Sequence, residues 1–131
     1  MAKRSEYVEH VLETMKSFGP VEARSMFGGW GLYRHGAFFA LIAKDVLYLK
    51  VDDETRAAFE AEGLEPFEFV SKGGKGTAMS YRRAPDEALE NPVEMTKWAR
   101  MGYEAALRAA ALKASPARRA GTKGKSPGGA R

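Results

Sequence analysis

A chain of 131 residues, 44% of them hydrophobic, falls where one domain around one core is expected. It has no cysteine, which excludes a disulfide framework, a thiolate metal site and a cysteine nucleophile. The net charge of +4 is unevenly spread: residues 113–131 hold six bases and no acid, leaving 15 bases against 17 acids in residues 1–112, so the basicity belongs to a tail and not to the domain's own surface.

In chain order, Met1 to Glu6 have no apolar stretch of the kind a signal peptide needs, and no export is expected. Tyr7, Val8, Val11, Leu12, Met15 and Phe18 recur at helical spacing behind Ser5, a good N-cap, and ahead of Gly19-Pro20, which predicts a helix from about Ser5 to Phe18. From Met26 to Val51 short apolar runs break at His35-Gly36 and Lys44-Asp45. They predict three strands joined by tight hairpins, the first strand bent at Gly28 and Gly29. In the third strand Leu47, Leu49 and Val51 alternate with Val46, Tyr48 and Lys50, the period of a half-buried sheet. The most apolar run, Ala37 to Ala43, is far short of the roughly 20 residues that cross a bilayer; a cytoplasmic location is expected.

Asp52-Asp53-Glu54-Thr55 supplies a cap and first-turn acids for a short helix ending near Gly63. Strands are predicted at Pro66 to Val70 and Thr77 to Arg83, with Ser71 to Gly76 as a flexible hairpin loop. Asn91-Pro92-Val93-Glu94 combines an N-cap, proline at N1 and glutamate at N3, and opens a helix that runs to about Leu112. The basic segment beyond has no large apolar residue with which to offset the entropy of ordering, and a disordered tail is expected over 113–131. The order α-β-β-β-α-β-β-α, with links too short for most parallel crossovers, predicts an α+β fold. It is a two-layer sandwich, an antiparallel sheet of about five strands with helices on one face, in a domain spanning residues 1–112.

Chemistry is poorly supplied. Gly28-Gly29-Trp30-Gly31 has the glycines of a nucleotide loop, yet it leads into a strand and not into a helix whose N-terminus would receive phosphate. Lys72-Gly73-Gly74-Lys75-Gly76-Thr77 lacks the Gly-Lys-Ser/Thr of a phosphate-binding loop and reads as a basic hairpin turn. His10 and His35 have no paired spacing, Asp52-Asp53 is explained as a helix start, and Ser25 and Ser80 have no nearby base. No catalytic residue, metal site or cofactor is expected.

Trp30, Tyr33, Phe38, Phe39, Tyr48, Phe67, Phe69 and Tyr81 all fall on predicted strands. Helices on one face leave part of this set for the other, where an apolar patch suggests dimerisation or peptide docking; Trp30, Tyr33 and Tyr48 are the candidate partner-binding residues. Arg118, Arg119, Lys123 and Lys125 are candidates for weak, salt-dependent contact with nucleic acid.

Met26-Phe27-Gly28-Gly29 with Gly31 and Tyr33, Phe39-Ala40-Leu41-Ile42, Leu47-Tyr48-Leu49-Lys50, Gly63-Leu64-Glu65-Pro66-Phe67, Ser80-Tyr81 and Trp98 form a joint pattern. It spans roughly residues 7 to 110 and resembles the TfoX N-terminal domain. The resemblance implies a fold like that of secretion chaperones, and a link to regulators of natural competence that act with a transcription activator of the cyclic-AMP receptor type. Such regulators carry a second, helical domain, whereas here the last helix leads into the basic segment. The expected function is a non-enzymatic regulatory or adaptor domain working through protein contacts, with the transcription machinery as partner by resemblance. The alternatives are a homodimer and a small-molecule or enzymatic site in a pocket between Trp30 and the Lys72–Lys75 loop.

Overall fold

Ser5 opens the first helix as its sequence position predicts: its hydroxyl accepts the Val8 backbone N–H at 3.2 Å, and α1 runs Glu6–Thr14. The computed structural model describes residues 5–26, 28–71 and 73–114. Past Thr14 the chain tightens instead of continuing as helix, with the N–H groups of Phe18 and Gly19 both on the Met15 carbonyl. Val8, Val11 and Met15 point the helix's apolar side into the core.

Among the described residues six strands follow: β1 (Glu22–Met26), β2 (Gly29–Arg34), β3 (Ala37–Ala43), β4 (Val46–Lys50), β5 (Pro66–Ser71) and β6 (Gly74–Arg83). They form one sheet in the order β1-β2-β3-β4-β6-β5, every neighbouring pair antiparallel. The sequence pattern predicts about five. The additional strand is β1, an edge strand whose Glu22, Arg24 and Ser25 are exposed, so it lacks an apolar alternation to betray it. The expected bend at Gly28-Gly29 is instead the β1–β2 hairpin turn, with Met26 opposite Gly29 and Gly28 at φ +78°. His35 and Gly36 take φ +50° and +81°, the primed turn read from the sequence, and Lys44-Asp45 repeats it at +51° and +58°. Most of the expected Ser71–Gly76 loop is paired strand, since Val70 lies opposite Lys75 and Ser71 opposite Gly74.

A bulge sets the chemistry of the two faces. Leu32 pairs with Ala40 but Tyr33 with Phe38, which leaves Phe39 as the extra residue in β3. Phe39 and Ala40 are both fully buried on the helix side, and the shifted phase sends Phe38 to the opposite face.

Helices α2 (Arg56–Ala61), α3 (Asp86–Glu90) and α4 (Pro92–Ala114) join α1 on one side of the sheet. The short α3 is absent from the predicted order. The Asn91 side chain accepts the N–H groups of Val93 and Glu94, the cap expected for α4. Leu32, Phe39, Ile42, Leu47 and Leu49 of the sheet pack with Phe59 of α2 and with Met95 and Trp98 of α4. The Phe59 and Trp98 rings meet nearly perpendicular, 4.9 Å apart. Gly102 lets α4 sit close on the sheet, since a Cβ there would fall 3.2 Å from the Phe39 carbonyl oxygen. Arg108 then clamps the far half of α4: its Nε reaches Asp52 Oδ2 at 2.6 Å and its Nη2 reaches Oδ1 at 3.1 Å. Asp52 also accepts the N–H groups of Glu54 and Thr55. The hydrogen bonds from Arg108, ahead of its charge and those N–H groups, hold the Asp52 carboxyl below its ordinary range.

Candidate interaction face

With every helix on one side, the other face of the sheet carries no covering element among the described residues. Register and alternation place two rows of side chains across it. In the first row Glu22 lies opposite Tyr33, Tyr33 opposite Phe38, and, across β4 and β6, Lys50 opposite Tyr81. In the second, Arg24, Gly31, Leu41, Tyr48 and Arg83 follow one another from β1 to β6. Phe67 of β5 continues the surface beside Tyr48, ring centres 4.8 Å apart.

The rings form two groups of half-buried aromatic surface, Tyr33 with Phe38 and Tyr81, and Tyr48 with Phe67. Tyr33 stacks on Phe38 at 5.1 Å, and Phe38 tilts onto Tyr81 at 5.7 Å. Gly31 makes this possible: a Cβ there would meet Met26 Sδ, Phe38 Cε1 and Tyr33 Cε1. Cations lie over the rings, the Arg24 guanidinium 4.3 Å from the Tyr33 centre and the Lys50 ammonium 5.1 Å from that of Tyr81. Burial pushes the Tyr81 hydroxyl up to about 12 and pulls the Lys50 ammonium below the usual lysine value.

Of the candidate partner-binding residues, Tyr33 and Tyr48 share this face. Trp30 does not, because it alternates with Gly31 onto the helix side and packs against the core. Arg34 follows it there, its guanidinium over the rings of Phe18 and Tyr103. The cations Arg24, Lys50 and Arg83 were not among the candidates. Lys50 was legible, since it alternates in phase with Tyr48; Arg24 was hidden with the rest of β1.

The pocket expected between Trp30 and the Lys72–Lys75 loop has no common wall. Trp30 pairs with Ile42 and Ile42 with Leu47, so Trp30 sits level with the Arg83 end of β6, whereas Lys75 lies near that strand's start, three strands away. Lys72 and the Lys75 side chain fall outside the described residues. Open grooves among the described residues lie elsewhere, one lined by Glu9, Glu13, Lys16 and Val21, another between Glu62–Glu65 and Arg83–Glu87. His10 bonds the Leu89 carbonyl oxygen and ties α1 to α3, while His35 is an exposed turn residue. Among the described residues no group of three His, Asp or Glu could hold a metal ion, and no helix is long and apolar enough to cross a membrane. Arg118, Arg119, Lys123 and Lys125 lie outside the described residues.

The glycines of Gly28-Gly29-Trp30-Gly31 thus have separate structural reasons: a turn, a close approach to the Ile42 carbonyl, and room beneath the aromatic cluster. The family model described as the TfoX N-terminal domain matches residues 13–106. The DNA transformation protein TfoX1 of Aliivibrio fischeri (strain ATCC 700601 / ES114) is 38% identical over 68 residues, 52% of this chain and 32% of that protein. The chain therefore spans about a third of the length of the curated relative it matches. Six antiparallel strands backed by helices and a family match over most of the described residues lead to one statement: this chain belongs to the TfoX N-terminal domain family.

Proposed function

We propose that this domain is a non-catalytic regulatory module in the control of DNA transformation, and that it works by docking a protein on the open face of its sheet. The observation that carries the reading is the uncovered aromatic surface of Tyr33, Phe38, Tyr48, Phe67 and Tyr81, with Arg24 and Lys50 over the rings and Arg83 opposite Tyr48 at the end of its strand. Half-exposed tyrosines beside arginines are the composition that protein interfaces favour, and a small domain gains nothing by leaving five rings half in water. The relative's name supplies the process, and the transcription machinery is the partner that the family resemblance suggests. The basic segment holding Arg118, Arg119, Lys123 and Lys125 adds weak nucleic-acid affinity in this reading.

The test is a chromosomal double substitution, Tyr33→Ser with Tyr48→Ser, scored by the transformation frequency of the host and by the level of the protein. Frequency falls roughly tenfold or more while the level is unchanged, the size expected when two central anchors of an interface are removed. Unchanged frequency at unchanged level contradicts the proposal.

A further inference from the structure

The open face has a charge as well as an apolar character. The described side chains of its two rows hold three cations, Arg24, Lys50 and Arg83, and one acid, Glu22; Arg83, at the end of its strand, also reaches Asp86 of α3. The exposed acids gather on the helix side, with Glu6, Glu9 and Glu13 on α1 and Asp86, Glu87 and Glu90 on α3. Arg24 and Arg83 hold exposed carboxylates, Glu22 at 3.2 Å and Asp86 at 3.8 Å, contacts that are worth little in water and exchange readily. Lys50 differs. It is half-buried against the Tyr81 ring and makes no ion-pair contact with a described carboxylate; the charges of Lys113 and Asp52 act on it only from farther off and in opposite directions. Burial is the largest influence on its titration, and a cation held partly out of water gains more than an exposed one when a counter-ion arrives.

We propose that the open face receives an acidic segment of a partner protein, its carboxylates on Lys50, Arg24 and Arg83 and its apolar side chains on Tyr33, Phe38 and Tyr81. This rests on the reading of the face as a protein-docking surface. Arg24 and Arg83 stand four strands apart, about 19 Å at roughly 4.8 Å per strand, a span that an extended segment of about six residues bridges. A second copy of the chain fits less well, because two such faces bring cations onto cations. A nucleic-acid strand also fits less well. Arg24 lies over Tyr33, Lys50 over Tyr81, and Tyr33 against Phe38, which obstructs the flat face-on stacking that bases need, whereas aliphatic side chains pack on these rings without it.

The test titrates the isotopically labelled full chain with three probes followed by amide chemical shifts. They are a short peptide alternating glutamate and leucine, the same peptide with lysine for glutamate, and a twelve-nucleotide oligothymidine. The glutamate peptide alone shifts amides of β2, β3, β4 and β6, and Lys50→Glu weakens it roughly tenfold while the variant melts as the parent does. Lys50→Met, which keeps the aliphatic stem, weakens it less. Equal binding of both peptides on this face overturns the acidic preference and leaves the docking surface standing. Preference for oligothymidine, or no shift with either peptide, overturns the acidic preference and the docking reading together.

Discussion

The three glycines of the Gly28-Gly29-Trp30-Gly31 segment should differ sharply when each is changed to alanine, because each answers to a different physical constraint. Gly28 is at φ +78° with open space around it. Alanine there costs about 1–2 kcal/mol in the left-handed region, partly offset by about 0.4–1 kcal/mol from the stiffer unfolded chain. Gly29 is not at positive φ, but its Cβ would overlap the Ile42 carbonyl oxygen and lie 3.3 Å from the carbonyl carbon. The obstacle is backbone in the neighbouring strand, so β2 must retreat from β3. Overpacking of about 1–3 kcal/mol adds to at least one weakened ladder bond of about 1 kcal/mol, for a total near 3 kcal/mol. Gly31 meets side chains only, Met26, Phe38 and Tyr33, all half-exposed and able to move, so about 1 kcal/mol is expected. Urea unfolding of the full chain at 25 °C measures the three, and Gly29→Ala should lower the melting temperature by about 10 °C against a few degrees for the others. A Gly29→Ala loss no larger than that of Gly28→Ala would refute the close β2–β3 approach and with it the structural reading of the motif.

Phe59→Ala should cost about 3–5 kcal/mol, since the ring is fully buried and packs edge-on against Trp98; urea unfolding together with a shift in tryptophan emission checks it. Asp52→Asn should cost about 1–2 kcal/mol near neutral pH by breaking the two-pronged contact with Arg108. Because the Asp52 carboxyl is held low when folded, the pair's contribution is complete above its ordinary value of 3.8 and is lost as pH falls through the lowered one. The acid limb of a stability–pH curve should therefore be flatter in Asp52→Asn than in the parent. Tyr81 works in the opposite direction: with its hydroxyl pushed from 10.0 to about 12, stability is lost as pH rises between those values. Tyr81→Phe should flatten that alkaline limb and remove the last-titrating tyrosine from an ultraviolet titration.

Much of the layered plan was legible because it depends on local signals. Ser5, Asn91-Pro92 and His35-Gly36 announce their caps and turn in the residues themselves, and the Leu47-Leu49-Val51 alternation names the buried side of β4. What escaped depends on partners distant in sequence. β1 is a strand because β2 pairs with it, not because Glu22-Ala23-Arg24-Ser25-Met26 alternates, and α3 is held by packing against α4 and α1. The bulge at Phe39 is the clearest case. A strict period of two through Ala37 to Ala43 sets Phe38 and Ala40 on one face, whereas the extra residue puts Phe38 outside and both Phe39 and Ala40 inside. For the same reason Tyr33 and Tyr48 could be picked as candidates but not assembled with Phe38, Tyr81 and Lys50, and Trp30 could not be assigned to the core side.

The central claim is that the open sheet face is where the domain does its work. The most direct measurement replaces Tyr48, on that face, with a photoreactive phenylalanine analogue in the living host, and in a parallel strain replaces Glu13, exposed on the helix side. The account predicts a discrete protein adduct on irradiation from position 48, competed away by Lys50→Glu in the same chain, and none from position 13. Adducts from position 13 alone, or from position 48 to nucleic acid and not to protein, would contradict it.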